Sequence, residues 1–168
     1  GERLMSIAIC PGSFDPITLG HLNIIRRSSK IFDKVIVCIM YNSTKTSPMF
    51  SVEERVEMAR KATEKYPNVS VESSSGLLAE YAKQYDGAVI VKGLRAASDF
   101  EYEFQMNLIN KKINPQLETM FLTSDVKYTF LSSSVVREMA RYGADLTGFV
   151  PDEIKEEIEE KAKQWRTK

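Results

Sequence analysis

One histidine, His21, and two cysteines, Cys10 and Cys38, are all that the 168 residues contain of the side chains that most often ligate transition metals or form catalytic nucleophile-base pairs. No His/Cys/carboxylate cluster stands at ligand spacing, so no dedicated metal cage is expected. Both cysteines lie inside short apolar runs and read as buried, reduced thiols that fill space. Net charge is missing too: 23 Lys plus Arg balance 23 Asp plus Glu, which leaves no bulk attraction for nucleic acid or an anionic membrane. Any anion has to be captured locally. Long apolar runs are absent. Even VIVCIMY, at 35 to 41, is too short to cross a bilayer, and no charged-then-apolar leader precedes it. The expected location is the cytosol, where the sequons at Asn42 and Asn68 carry no meaning. Residues 1 to 4 are expected to be a non-native leader ahead of Met5. The common phosphate loops are lacking as well. Glycines at 12, 20, 76, 87, 93, 143 and 148 include no pair two apart for a G-x-G-x-x-G turn, and Gly143 and Gly148, at Walker spacing, run on into Phe149 and Val150.

What the chain does have is alternation. At 43% hydrophobic and 27% charged residues it has the composition of a folded domain with a sizeable core. The runs MSIAIC (5 to 10), KVIVCIM (34 to 40), VSVE (69 to 72), AVIVK (88 to 92) and ETMFL (118 to 122) are short, mostly β-branched and bounded by polar residues or glycine, which predicts strands. Several are apolar throughout, as a parallel sheet covered on both faces demands. Helical patterns fall between or after them, over about 20 to 30, 52 to 66, 77 to 85, 98 to 111 and 133 to 142. The second opens on a capping box, Ser51-Val52-Glu53-Glu54, and aligns Val52, Val56, Ala59 and Ala62 on one face. Pro151 can start a last charged helix to about 164, with Ile154, Ile158, Ala162 and Trp165 on one side. The apolar spacing of EYEFQMNLI, 101 to 109, can supply an oligomer contact, but such spacing more often marks a helix face turned to the core, which is the expectation here. No repeat or linker divides the chain. The expectation is one domain over 1 to 168, an α/β Rossmann-like, doubly wound, five-stranded parallel sheet flanked by helices. Ligands then belong at the carboxyl ends of the strands, near the switch point.

Unusual residues gather at those ends. PGSFDPITLGH, 11 to 21, runs from the first strand into a helix whose first N–H groups favour an anion. Gly12 and Gly20 permit close approach, Ser13 adds a hydroxyl donor, and His21 falls in the first helical turn with its ring in reach of the same anion. Taken alone, each feature also has a plainer reading. His21 can be a surface histidine on a capped helix, Lys45 in the loop YNSTKTSP (41 to 48) a solvated charge, and Lys92 the end of a strand. Asp99 and Glu103, four apart, can favour a helix start or pair with a cation, and the serines of LSSSVVRE (131 to 138) can be an ordinary N-cap.

Together the segments resemble a known family. TLGH, 18 to 21, is similar to the T-x-G-H version of the H-x-G-H signature of the nucleotidyltransferase superfamily, and LSSSVVRE resembles its second signature. KGLRAASDFEYE (92 to 103) lies between them. With PGSFDPITLGH and PMFSVEER (48 to 55), in the same order and spacing, it resembles bacterial phosphopantetheine adenylyltransferases over nearly the whole chain. The resemblance implies reversible transfer of an adenylyl group from ATP, bound with Mg2+, to 4′-phosphopantetheine, giving dephospho-coenzyme A and pyrophosphate, the penultimate step of coenzyme A synthesis. It implies His21 as the transition-state stabiliser that donates to the α-phosphate, with Ser13 and Lys45 beside it. ATP contacts map to Ser13, Phe14, His21, Gly93, Leu94, Arg95, Glu103, Tyr128, Thr129, Phe130, Leu131, Ser132, Ser133 and Ser134. Acceptor contacts map to Ser13, Lys45 and Lys92 at the phosphate and Leu78 along the pantetheine arm. A cytoplasmic homohexamer with feedback inhibition by coenzyme A is implied too, without nucleic acid or membrane partners. Lys92 departs from the Arg of many relatives, exchanging a bidentate fork for a compact charge. Tyr128 stands where Trp is common, and the loop at 41 to 48 is a residue longer than in some relatives.

The implied chemistry suits the residues available. A phosphate monoester, with a second pKa of about 6, is largely dianionic at neutral pH and attacks the α-phosphorus without a base. The catalyst has to hold two polyanions in line and offset their repulsion. Two other readings share some of these features: a nicotinamide-mononucleotide-type adenylyltransferase, against which the block from 92 to 103 argues, and a non-catalytic nucleotide-binding module.

Overall fold

The apolar runs become strands β1 (Ile7–Gly12), β2 (Lys34–Met40), β3 (Val69–Ser74), β4 (Val89–Leu94) and β5 (Glu118–Thr123). The structure is a computed structural model and describes residues 4–42 and 47–166. All five strands are parallel, in the order β3-β2-β1-β4-β5. Between and after them run α1 (Leu19–Ile31), α2 (Val52–Thr63), α3 (Leu78–Tyr81), α4 (Ala97–Ile113), α5 (Ser133–Arg141) and α6 (Asp152–Arg166). This is the expected doubly wound α/β sheet.

Side chains alternate across a strand, so a strand buried on both faces feeds two cores. Ala8, Cys10, Val35, Val37, Ile39 and Val91 join the cluster beneath α1, α2, α5 and α6. Their neighbours Ile9, Ile36, Cys38 and Ile90 join a second cluster with Ala79, Ala82 and Leu117 on the other face. Register aligns the latter, with Ile9 opposite both Ile36 and Ile90. Each such Val or Ile contributes about 1.5–3 kcal/mol of burial before entropy is counted. Burial also pushes the thiols up, Cys10 to about 12 and Cys38 to about 11, so both are protonated fillers as expected. Among the described residues no helix is long and apolar enough to cross a membrane.

The pairing of β1 with β4 decides where a ligand can enter. It is confined to Ala8–Val89 and Ile9–Ile90, yet β1 continues to Gly12 and β4 to Leu94. Past Ile9 the two strands part, and the gap lies at the point where the winding reverses.

Two expectations need correction. The helix expected over 77 to 85 is one α turn followed by a 3-10 turn at Ala82–Gln84. The tightening occurs where Tyr81 and Tyr85 both donate their hydroxyls to the Glu72 carboxylate. The apolar face of 101 to 109 does not join the core either: Phe104 is 48% and Leu108 54% exposed, with Phe100 stacked on Phe104 at 5.8 Å. Apolar residues surround α4 on several sides, and its contact with the second core is made near its end, at Ile113.

Close packing at the gap rests on Gly93, where an added Cβ would lie 2.9 Å from Ile24 Cγ1 of α1. Gly93→Ala is expected to destabilise the protein by about 1–3 kcal/mol through overpacking. Thermal melting should show a midpoint several degrees lower; an unchanged midpoint would mean that Ile24 moves aside freely.

Candidate active site

The parted ends of β1 and β4 wall a cleft of about 320 Å³. Ser13, Phe14 and His21 line one side, Lys92, Gly93, Arg95 and Glu103 another, and Tyr128, Leu131 and Ser132 close it. Residues from three separate expected segments thus meet at the predicted place, the carboxyl ends of the strands at the switch point. A volume of this size accommodates a small ligand.

His21 is held by the helix it helps to start. Thr18 is the N-cap of α1, and its hydroxyl accepts the His21 N–H at 3.3 Å. In return the Thr18 N–H donates to His21 Nδ1 at 3.0 Å. This is a capping box with histidine in the place usually held by Glu or Gln. A backbone N–H can only donate, so Nδ1 must accept and the neutral ring carries its proton on Nε2. Burial, with the positive charge of Arg95 nearby, holds the ring's pKa down at about 4. At neutral pH His21 is therefore an uncharged Nε2–H donor with a fixed tautomer.

Phe14 supports that ring. It is in the left-handed region at φ 48°, and its ring meets His21 edge to face at 4.9 Å between centroids. A Cβ at position 12 would lie 3.1 Å from the Phe14 ring, so Gly12 makes the approach possible. The α1 N-terminus is less open than the sequence implies, because the Leu19 N–H already donates to the Phe149 carbonyl at 2.9 Å.

The cations of the cleft have partners. Lys92 Nζ lies 3.0 Å from Glu103 Oε2 and 3.1 Å from Oε1. Arg95 Nε lies 3.2 Å from Asp99 Oδ2, while its Nη1 donates to the Leu131 carbonyl at 2.8 Å. The plain reading of Asp99 and Glu103 as ion-pair partners thus holds alongside their place in the cleft.

Of the other expected residues, Ser132 lines the cleft and the rest that are described lie outside its lining. Leu94 carries the end of β4, its carbonyl accepting the Ser124 N–H at 2.8 Å, and the Thr129 hydroxyl donates to the Val126 carbonyl at 2.9 Å. Phe130 is 57% exposed and packs edge-on against Phe149. Ser132 is the α5 N-cap, accepting the Val135 N–H at 3.2 Å. Ser133 donates its hydroxyl to the Pro16 carbonyl at 2.8 Å, and Ser134 accepts from Arg137 Nη2 at 3.2 Å. Leu78 packs on the second core cluster across the sheet. Lys45 lies outside the described residues.

Three polar residues not singled out from the sequence shape the turn. Asp15, Arg55 and Arg137 bond its backbone or its neighbours from outside the cleft. All three sit inside the quoted segments PGSFDPITLGH, PMFSVEER and LSSSVVRE, but their partners are far away in sequence and spacing carries no signal for them.

Among the described residues no group of three or more His, Cys, Asp or Glu is arranged to hold a metal ion. Asp15, the carboxylate of the turn, already accepts two backbone N–H groups. A divalent ion in this cleft fits best as one that arrives on the phosphates of a nucleotide.

Comparison with known proteins agrees with the geometry. Residues 9–139 match the family model described as cytidylyltransferase-like. The fold is shared with a solved structure from Vibrio parahaemolyticus, provisionally assigned as a nicotinate-nucleotide adenylyltransferase, at a TM-score of 0.67 and 18% identity over 98% of each chain. The family match, over most of the chain, places it among the cytidylyltransferase-like nucleotidyltransferases. The phosphopantetheine adenylyltransferase of Caldanaerobacter subterraneus subsp. tengcongensis is 52% identical over 95% of this chain and 99% of its own length. That of Dictyoglomus turgidum is 54% identical over 93% and 97%. Within the nucleotidyltransferases, the chain belongs to the phosphopantetheine adenylyltransferase family.

A lone histidine permits a clean test of the capping geometry. A group whose folded pKa is depressed stays neutral above that value, so the His21 ring should titrate by NMR with a midpoint near 4, not 6.5. Folding stability linked to it is complete above about 6.5 and falls as pH drops from there toward 4. A ring midpoint at or above 6.5 would remove the neutral, Nδ1-capped state.

Proposed function

We infer that the protein transfers the adenylyl group of ATP to 4′-phosphopantetheine, releasing pyrophosphate and forming dephospho-coenzyme A. Identity above 50% to two phosphopantetheine adenylyltransferases over nearly the full chain carries the substrate. The cleft supports the chemistry. A phosphate oxygen of the acceptor attacks the α-phosphorus, the new P–O bond forms, and the bond to the bridging oxygen breaks with its electrons leaving on pyrophosphate. The acceptor is largely dianionic at neutral pH, so no side chain has to remove a proton.

The protein's part is alignment and charge. His21 donates from Nε2–H to an α-phosphoryl oxygen, a role supported by its Nδ1-capped tautomer and its neutrality throughout the physiological range. Ser13, on the same turn, offers its hydroxyl between the two substrates. Arg95, with Gly93, Leu94 and Glu103, serves the nucleotide; Tyr128, Thr129, Phe130 and Leu131 border it, and the start of α5 at Ser132, Ser133 and Ser134 offers its backbone N–H groups to the phosphates. Lys92 and Lys45 receive the acceptor phosphate, with Leu78 along the pantetheine arm. Mg2+, held chiefly by the phosphates of ATP, would neutralise part of their charge. The reading extends to a cytoplasmic homohexamer inhibited by coenzyme A. The exposed apolar stripe of α4, with Phe100, Phe104 and Leu108 at successive four-residue steps, supports self-assembly.

The deciding experiment is pyrophosphate release from MgATP with 4′-phosphopantetheine, with nicotinamide mononucleotide, and with no acceptor. Release with phosphopantetheine alone is expected; release with the mononucleotide alone would transfer the chain to that acceptor class. His21→Ala should lower kcat by about 10²- to 10³-fold while changing ATP affinity far less, by analogy with removal of one transition-state donor. A folded His21→Ala protein with near-normal kcat would remove the assigned role. Lys45→Ala should weaken phosphopantetheine much more than ATP in calorimetry, and equal losses would separate Lys45 from the acceptor.

A further inference from the structure

The turn from β1 to α1 is gripped from behind by groups that do not line the cleft. Arg55 of α2, only 5% exposed, donates through Nη1 to the Ser13 carbonyl at 3.0 Å. Arg137 of α5 donates through Nη1 to the Asp15 carbonyl at 2.7 Å, and Ser133 to the Pro16 carbonyl at 2.8 Å. Three carbonyls of one short turn are thereby drawn toward α2 and α5. The side chains of Ser13, Phe14 and His21 are left on the cleft side.

Asp15 extends the grip to another segment. Its carboxylate, in a residue 6% exposed, accepts the Met49 N–H on Oδ2 at 3.0 Å and the Phe50 N–H on Oδ1 at 2.9 Å, with Arg137 Nη1 3.8 Å from Oδ2. One residue therefore bonds the phosphate turn, the entry to α2 and α5 together. Ionised acceptors make the stronger hydrogen bonds, and two N–H groups on one carboxylate fix direction as well as distance.

We propose that Asp15 is a positioning residue for adenylyl transfer: by clamping Met49 and Phe50 to the turn that bears Ser13 and His21, it sets the alignment of the reacting phosphates. This rests on the adenylyl-transfer reading above. Asp15 contacts neither substrate in this role and acts through the backbone of the turn. An in-line displacement is sensitive to such placement, since a shift of about 1 Å produced from outside the reacting groups can cost about 10²-fold. Asp15→Asn is a sharp probe of the clamp. The carboxamide can accept one of the two N–H groups, but turns its NH2 toward the other and leaves that buried donor unpaired.

Three measurements on wild type and Asp15→Asn decide the matter: pyrophosphate release with 4′-phosphopantetheine, ATP binding by calorimetry, and amide exchange at Met49 and Phe50. Expected in the variant are a fall in kcat of about 10- to 100-fold, ATP affinity within about twofold, and faster exchange at those two amides. Faster exchange with unchanged kcat overturns the proposal. So does a loss of ATP affinity in step with kcat, which would mark a merely structural residue. A wild-type protein that releases no pyrophosphate overturns the reaction itself, a failure seen before any variant is compared. Should Asp15→Asn not fold, Arg137→Gln releases the same turn from α5 at a side chain 30% exposed; the same selective fall in kcat is expected, and an unchanged kcat overturns the proposal.

Discussion

Everything at the site depends on β1 and β4 ceasing to pair after two residues. Two parallel strands that stayed in register to their ends would bury those ends against each other, and the first residues of the following loops would have no room for a ligand. Here the ladder closes at Ala8–Val89 and Ile9–Ile90 and then opens. Because β2 and β3 lie on one side of β1 and β5 beyond β4 on the other, the connections leave in opposite directions and do not refill the space. The gap is a product of the winding order, and the chain decorates it with residues from both halves.

Within the gap, a single residue answers two structural needs. The start of α1 needs a partner for the Thr18 N–H, and the proposed transfer calls for a neutral donor in the cleft. His21 meets both with its two ring nitrogens. A Glu at this position would complete the capping box equally well but would put negative charge beside incoming phosphates. The same bond that completes the cap therefore selects the tautomer, and the adjacent Arg95 opposes protonation of the ring.

The sheet was legible in the sequence because strands buried on both faces leave apolar runs that polar residues and glycines punctuate, as in KVIVCIM and AVIVK. The parallel, doubly wound class followed from the alternation with helices and placed the site at the strand ends, whereas the order β3-β2-β1-β4-β5 was not read from the sequence. PGSFDPITLGH marked one wall of the cleft through its chemistry, and KGLRAASDFEYE the other through its family resemblance. Other features could not be read in this way. Apolar spacing on α4 shows that a face is hydrophobic, not which surface covers it, so the core was preferred to an oligomer contact for a stretch whose Phe104 and Leu108 lie exposed. The limits of α3 depended on Glu72 receiving Tyr81 and Tyr85 from another element. Asp15 belongs to a quoted motif, yet its partners Met49, Phe50 and Arg137 are 34, 35 and 122 residues away, and no local pattern encodes contacts at that range.

The pairing of Lys92 with Glu103 and of Arg95 with Asp99 has a thermodynamic consequence of its own. A phosphate arriving at either cation does not meet a bare charge; it competes with a carboxylate already in place. Affinity is then a difference between two ionic contacts rather than the full strength of one. On the proposed reaction the cleft would operate as an ion exchanger: each polyanion that enters would displace a resident carboxylate, and each that departs would be helped off by that carboxylate's return. A pocket built in this way sacrifices tight holding and favours exchange, which suits a reaction that has to release two anionic products and can run in either direction.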